Sequence, residues 1–172
     1  LIVGGWEQPP DGLELSKRDE KLVEQGVLSG AIIYVDLVEE DGIEYLVVDG
    51  PDFVVHDSKV AKKQTLFDGI KYRKEDVSHN NLFKILASDV SKITIEGTDD
   101  NDRIIVGPGV KHDVTIMGLD GNDILRGGAG DDIIYGGDDH DEISGGQGND
   151  ELYGDAGEDV LAGTAAKDVV AV

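Results

Sequence analysis

Aliphatic residues recur every nine positions near the end of this chain: Leu125, Ile134, Ile143, Leu152 and Leu161. Two places before each stands an aspartate: Asp123, Asp132, Asp141, Asp150 and Asp159. The units are GLDGNDILR (Gly118–Arg126), GGAGDDIIY (Gly127–Tyr135), GGDDHDEIS (Gly136–Ser144), GGQGNDELY (Gly145–Tyr153) and GDAGEDVLA (Gly154–Ala162). Glycine at places one, two and four lets the backbone take positive φ and turn tightly. The last three places, such as Ile133-Ile134-Tyr135, predict a very short strand whose central side chain points inward and whose neighbours point out. Two units then make one coil of a flattened solenoid, with a row of turns along each edge. The pattern decays outward in phase. Gly109–Met117 keeps Ile116 but has Val114 where the aspartate belongs, and Gly163–Ala171 keeps Asp168 and Val170. Gly97–Ile105 fits again, with Asp102 and Ile104, after a three-residue slip at Val106-Gly107-Pro108.

The first half is patterned differently. Leu1–Trp6 predicts a short strand, followed by a turn through Pro9-Pro10-Asp11-Gly12. Ser16 to Gln25 predicts a helix, with Ser16 as N-cap and Gly26 as its stop. Ala31–Val38 and Ile43–Val48 predict a hairpin around Glu39-Glu40-Asp41-Gly42, and Phe53–His56 a third strand. His79–Ala87 predicts a short helix carrying Leu82, Phe83, Ile85 and Leu86. Lys92–Glu96 alternates as a strand and begins the solenoid. The expected organisation is a small α+β unit over residues 1–89 and a mostly β solenoid over residues 90–172.

The repeat resembles the haemolysin-type calcium-binding repeats, also called RTX repeats. The resemblance covers about residues 90–172 and rests on five in-phase units. It implies a parallel β-roll in which each calcium ion lies between unit n and unit n+2. Calcium takes six to eight oxygen ligands, which turn carbonyls and aspartates can supply. The resemblance therefore assigns the metal to places one, three, four and six: Gly118, Asp120, Gly121 and Asp123; Gly127, Ala129, Gly130 and Asp132; Gly136, Asp138 and Asp141; Gly145, Gln147, Gly148 and Asp150; Gly154, Ala156, Gly157 and Asp159; and, at the worn ends, Asp102 and Asp168. One edge would carry Asp123, Asp141 and Asp159, the other Asp132, Asp150 and Asp168, for about three to five ions in all. Asp139 replaces a glycine at place four, where aspartate tolerates the left-handed region. Leu119 and Asp155 replace glycine at place two and should weaken their sites.

Charge agrees with bound cations. The 172 residues carry a net charge of −22, of which −8 falls on residues 1–90 and −14 on residues 91–172. Such a polyanion repels nucleic acid and acidic headgroups. With no cysteine there is neither a disulfide nor a thiolate metal site. No apolar run approaches the roughly 18 residues of a membrane span. Absence of H-E-x-x-H, G-x-S-x-G, P-loop and G-x-G-x-x-G motifs argues against an enzyme. His56, Asp57 and His79 read as surface or loop residues, and Trp6 and Tyr34 as core aromatics. The cluster Lys59, Lys62, Lys63, Lys71, Arg73 and Lys74 reads as a solvated face; His112 and His140 read as exposed turn residues.

The chain is expected to be part of a longer protein. RTX proteins generally leave bacteria through type I secretion machinery, so the resemblance implies a secreted, extracellular or cell-surface location, with calcium the partner in hand and no host or surface ligand specified. The leading expectation is a module that folds on calcium outside the cell. The alternatives are part of a secreted enzyme or toxin with its catalytic residues elsewhere, and a calcium-dependent adhesin or surface-layer module.

Overall fold

A computed structural model describes residues 2–4, 25–27, 29–49, 52–54, 82–165 and 167–171. Short strands dominate. β1 (Ile2–Gly4) pairs antiparallel with β4 (Asp52–Val54) as a two-stranded sheet. β2 (Ile32–Glu40) and β3 (Ile43–Asp49) form the expected hairpin around Asp41 and Gly42, at φ 52° and 77°. β5 (Leu82–Leu86) pairs antiparallel with β3. The solenoid strands follow: β6 (Ile93–Glu96), β7 (Arg103–Val106), β8 (Val114–Asp120), β9 (Ile124–Arg126), β10 (Ile133–Asp138), β11 (Glu142–Ser144), β12 (Glu151–Ala156), β13 (Val160–Ala162) and β14 (Val169–Ala171).

Alternate strands fall on opposite faces of a parallel β-roll. One sheet has the order β14-β12-β10-β8-β6, the other β13-β11-β9-β7-β2-β3-β5. Place-eight residues stack on one another: Ile116, Ile134, Leu152 and Val170 in the first sheet, Ile104, Leu125, Ile143 and Leu161 in the second. The offset is eighteen residues except at the first step, where Ile95 meets Ile116 and Ile104 meets Leu125. That step absorbs the slip at Val106-Gly107-Pro108. Ile104, Ile116, Leu125, Ile134, Ile143 and Leu152 are fully buried, so the roll's interior is one aliphatic side chain wide.

The N-terminal hairpin lies on the roll. β2 pairs parallel with β7, Ile33 opposite Ile104, and thereby serves as an additional rung. Its inward residues Ile33 and Val35 join Leu46, Val48, Ile93 and Ile95 in the same core as the repeat aliphatics. Here three strands each bury two aliphatics in that core, Ile33 and Val35 on β2, Leu46 and Val48 on β3, and Ile93 and Ile95 on β6, against one on each of β9 to β12. At the other end Val160, Val169 and Val170 are exposed.

The α+β expectation for residues 1–89 is corrected in part. Where a helix was expected over His79–Ala87, the described residues form β5 and one 3-10 turn, Ala87–Asp89. The open edge of β3 offers Leu82–Leu86 a full register of partners, and such pairing overrides weak local helix propensity. No α-helix occurs among the described residues. Of the helix expected over 16–25, only Gln25 is described, in a turn with Gly26 at φ 69°. Trp6, Pro9 to Gly12, His56, Asp57, His79 and the Lys59–Lys74 cluster lie outside the described residues.

Candidate metal centre

The place-six aspartates sit in the turns that precede the strands, all of them buried except the half-buried Asp159 and Asp168. Asp102, Asp123, Asp132, Asp141 and Asp150 are each at most 3% exposed. One carboxylate oxygen has the same task throughout: Oδ1 accepts the backbone N–H at place six of the turn two units earlier. Asp123 accepts from Asp102 at 2.8 Å, Asp141 from Asp123 at 2.9 Å and Asp159 from Asp141 at 3.0 Å. On the other edge Asp132 accepts from Val114 at 2.8 Å, Asp150 from Asp132 at 3.0 Å and Asp168 from Asp150 at 3.1 Å. The two rows expected from the sequence are thus present and in register.

The second oxygen separates the turns into two kinds. Oδ2 of Asp123, Asp141, Asp150 and Asp159 is buried without any hydrogen-bond partner. In these four turns the place-two residue has positive φ: Leu119 at 88°, Gly137 at 121°, Gly146 at 104° and Asp155 at 66°. That conformation carries the place-two N–H away from the aspartate. At Thr98 and Gly128 φ is not positive, and the N–H turns inward, donating to Oδ2 of Asp102 at 2.5 Å and of Asp132 at 2.9 Å. Asp168 accepts instead from the Ala165 N–H at 2.7 Å.

Backbone oxygens crowd the same places. A Cβ atom added at Gly118 would lie 2.2 Å from Asp123 Oδ2 and 2.4 Å from the Gly136 carbonyl oxygen. At Gly127 the neighbours are Asp132 Oδ2 and the Gly145 carbonyl, at Gly136 Asp141 Oδ2 and the Gly154 carbonyl. Glycine at place one therefore leaves room in which a carboxylate and a carbonyl from two units on converge. At place four Gly121 and Gly148 take φ 115° and 121°, and Asp139 adopts 79° in the glycine's stead. Of the place-three residues, Asp120 and Asp138 sit side by side in register with exposed side chains; Ala129 donates its N–H to the Val110 carbonyl and Gln147 to that of Gly128. Ala156, also at place three, pairs in register with Asp138, and Gly157 at place four lies over the Asp139 carbonyl.

Among the described residues, no three histidine, aspartate or glutamate side chains gather at one point. Each interval between stacked turns is bordered by one carboxylate from each turn and by backbone carbonyls. A hard, oxygen-seeking cation with a large, adaptable shell fits that donor set. The unpaired buried Oδ2 atoms fit it as well, since a buried carboxylate oxygen without a donor is strongly disfavoured unless a cation meets it. Burial raises Asp123 to about 8, Asp132 to about 7 and Asp141 to about 6, and neighbouring carboxylates push in the same direction. Asp102 and Asp150 are raised by the same desolvation. Calcium would hold these groups ionised.

A second ladder, not anticipated from the sequence, runs at place five. Asn101 Oδ1 accepts the Asn122 N–H at 2.8 Å, Asn122 Oδ1 that of His140 at 3.3 Å, and His140 Nδ1 that of Glu158 at 2.9 Å. On the opposite edge Asp113 and Asp131 accept from Asp131 and Asn149 at 3.0 and 2.9 Å. The clue was present in the units as Asn, Asp or His at place five, side chains that accept from a backbone N–H. His140 is exposed as expected; His112 is half-buried, its Nε2 donating to the Ala87 carbonyl at 3.0 Å.

Against known families, residues 115–143 and 135–170 match the RTX calcium-binding nonapeptide repeat, with four copies. No curated protein and no solved structure matches the chain. Calcium-binding repeats built as a β-roll fit a calcium-binding module.

Proposed function

We propose that this RTX-repeat chain is a calcium-dependent folding module of a larger secreted bacterial protein. The observation that carries the reading is the set of four buried, unpartnered Oδ2 atoms, on Asp123, Asp141, Asp150 and Asp159. Without cations the array buries carboxylates beside one another around an interior one aliphatic wide. With cations, binding to the folded form alone stabilises it by mass action. In a bacterial cytosol, where calcium is scarce, the repeats would remain open; outside, millimolar calcium would close them. RTX repeats are typical of secreted bacterial proteins, which supports export by type I secretion through the parent protein.

The test is a calcium titration of the EDTA-treated chain, followed by far-UV circular dichroism and calorimetry. Coil should convert to β over residues 118–162, with about three to five ions bound. A spectrum that calcium leaves unchanged, or an ion count of one or none, overturns the reading.

A further inference from the structure

The first turn of the roll is the one joined to the N-terminal hairpin, and the joint is made at Asp102. Its carboxylate has no unpartnered oxygen. Oδ1 accepts the Ala31 N–H and the Thr98 hydroxyl, the latter at 2.8 Å, while Oδ2 accepts the Thr98 N–H at 2.5 Å. Ala31 stands where place six of an earlier unit would stand, directly before Ile32 of β2, which pairs with Arg103. The Asp102 carboxylate thus receives three protein donors, against two at Asp132 and Asp168 and one at Asp123, Asp141, Asp150 and Asp159, whose Oδ2 stays bare.

Further hydrogen bonds join the same two segments. The Ser29 and Gly30 N–H groups donate to the Asn101 carbonyl at 3.2 and 2.9 Å, and the Arg103 N–H donates to the Ala31 carbonyl at 2.7 Å. Asn101 Nδ2 donates to the Val27 carbonyl at 2.9 Å. A Cβ atom at Gly30 would strike Asp102 Oδ1 at 2.0 Å, so only glycine lets the strand approach this closely. Behind the joint lie the fully buried Ile33, Leu46, Val48, Ile93, Ile95 and Ile104.

We infer that Asp102 is a metal-free clamp: with Thr98 it replaces the ion of the first interval by hydrogen bonds and holds β2 and β3 on the roll as a calcium-independent template. Asp102 and Thr98 are then positioning residues, acting on the calcium turns through the register they impose on β7 and, beyond it, β9. Calcium loading starts at the interval between Asp123 and Asp141, and the roll grows away from the clamp. The inference rests on the calcium reading of the later turns, but it makes a separate claim about the chain without calcium.

Hydrogen exchange followed by mass spectrometry on the whole chain in EDTA separates the two. Amides of β2, β3, β6 and β7 should exchange at least tenfold more slowly than those of β9 to β12, and calcium should then protect β9 to β12. Thr98→Val should abolish the protection of β2 and β7 in EDTA, and Thr98→Ser should restore it, with the ion count unchanged in both. Asp102→Asn should likewise leave the ion count unchanged. Equal exchange of all strands in EDTA overturns the clamp, as does an ion lost in Asp102→Asn. Should that variant fail to fold, a calcium-edge anomalous map of the unaltered chain decides: density beside Asp123 and Asp141 but none at Asp102 supports the clamp, and density at Asp102 refutes it. A chain that binds no calcium yet protects β2 and β7 in EDTA would sink the proposed function and leave the clamp standing.

Discussion

Replacing Asp141 by asparagine should have effects of opposite sign with and without calcium. Asp141 is 3% exposed, and burial lifts its carboxyl from 3.8 to about 6. In EDTA above that value the folded chain must carry the buried charge, at about 2–3 kcal/mol for a shift of this size. The introduced amide removes the charge and keeps the acceptor for the Asp123 N–H. Its NH2 group falls where Oδ2 now stands, beside the Gly154 carbonyl that crowds the same glycine, Gly136. Asp141→Asn should therefore raise β content in EDTA. With calcium the balance reverses, because Asp141 borders two intervals, toward Asp123 and toward Asp159. Loss of a mere second-layer partner of a metal ligand weakens binding about 10–100-fold, so loss of a direct ligand should move the calcium midpoint at least that far. Asp168→Asn is the control, since Asp168 borders one interval and already has an N–H on each oxygen. Circular dichroism in EDTA and along a calcium titration reads both effects. Equal midpoint shifts for the two variants, or lower β content for Asp141→Asn in EDTA, would refute the reasoning.

Acid should favour the calcium-free roll: Asp123, Asp132 and Asp141 are raised from 3.8 to about 8, 7 and 6, so their contribution is fully present below about pH 4 and is lost as pH climbs through 6 to 8. Ellipticity in EDTA from pH 8 to 5 checks this, and a signal that weakens on acidification contradicts it; in calcium, protons should compete and the midpoint should rise as pH falls. Gly137→Ala should destabilise the calcium-loaded roll by about 3 kcal/mol or more, because at φ 121° the new Cβ would lie 1.8 Å from the Leu119 carbonyl oxygen. Gly42→Ala, at φ 77° in open space, should cost only about 1–2 kcal/mol, and urea unfolding in saturating calcium compares the pair. Magnesium at equal concentration should leave the EDTA spectrum almost unchanged, since it demands a small octahedral shell and keeps its waters; a full coil-to-β conversion in magnesium would contradict the donor set described.

The repeat made much of the roll legible. An aspartate and an aliphatic in phase over five units predict the stacking of Ile134 on Ile116 and Leu152, and the slip at Val106-Gly107-Pro108 predicts the longer first step. Two things were hidden. The strand fate of Leu82–Leu86 depends on an edge of β3 that no local pattern reveals. The split between bare and hydrogen-bonded carboxylates depends on one peptide's orientation: glycine occupies place two at both Gly128 and Gly137, and only their φ values tell them apart. Thr98 did carry a signal, a hydroxyl at place two where the five intact units have Gly, Leu or Asp, but its meaning requires Ala31 from a distant strand.

The unequal ends of the roll give it a mechanical direction. The hydrogen bonds between rungs run along the solenoid axis, so a pull along that axis loads them in series and opens one rung at a time. Peeling would begin at β13 and β14, where Val160, Val169 and Val170 are exposed, and would halt at β2 and β3, whose paired aliphatics and Asp102 joint must yield together. Calcium would then reset the rod rung by rung from the seated end, and the length recovered would count the intervals refilled.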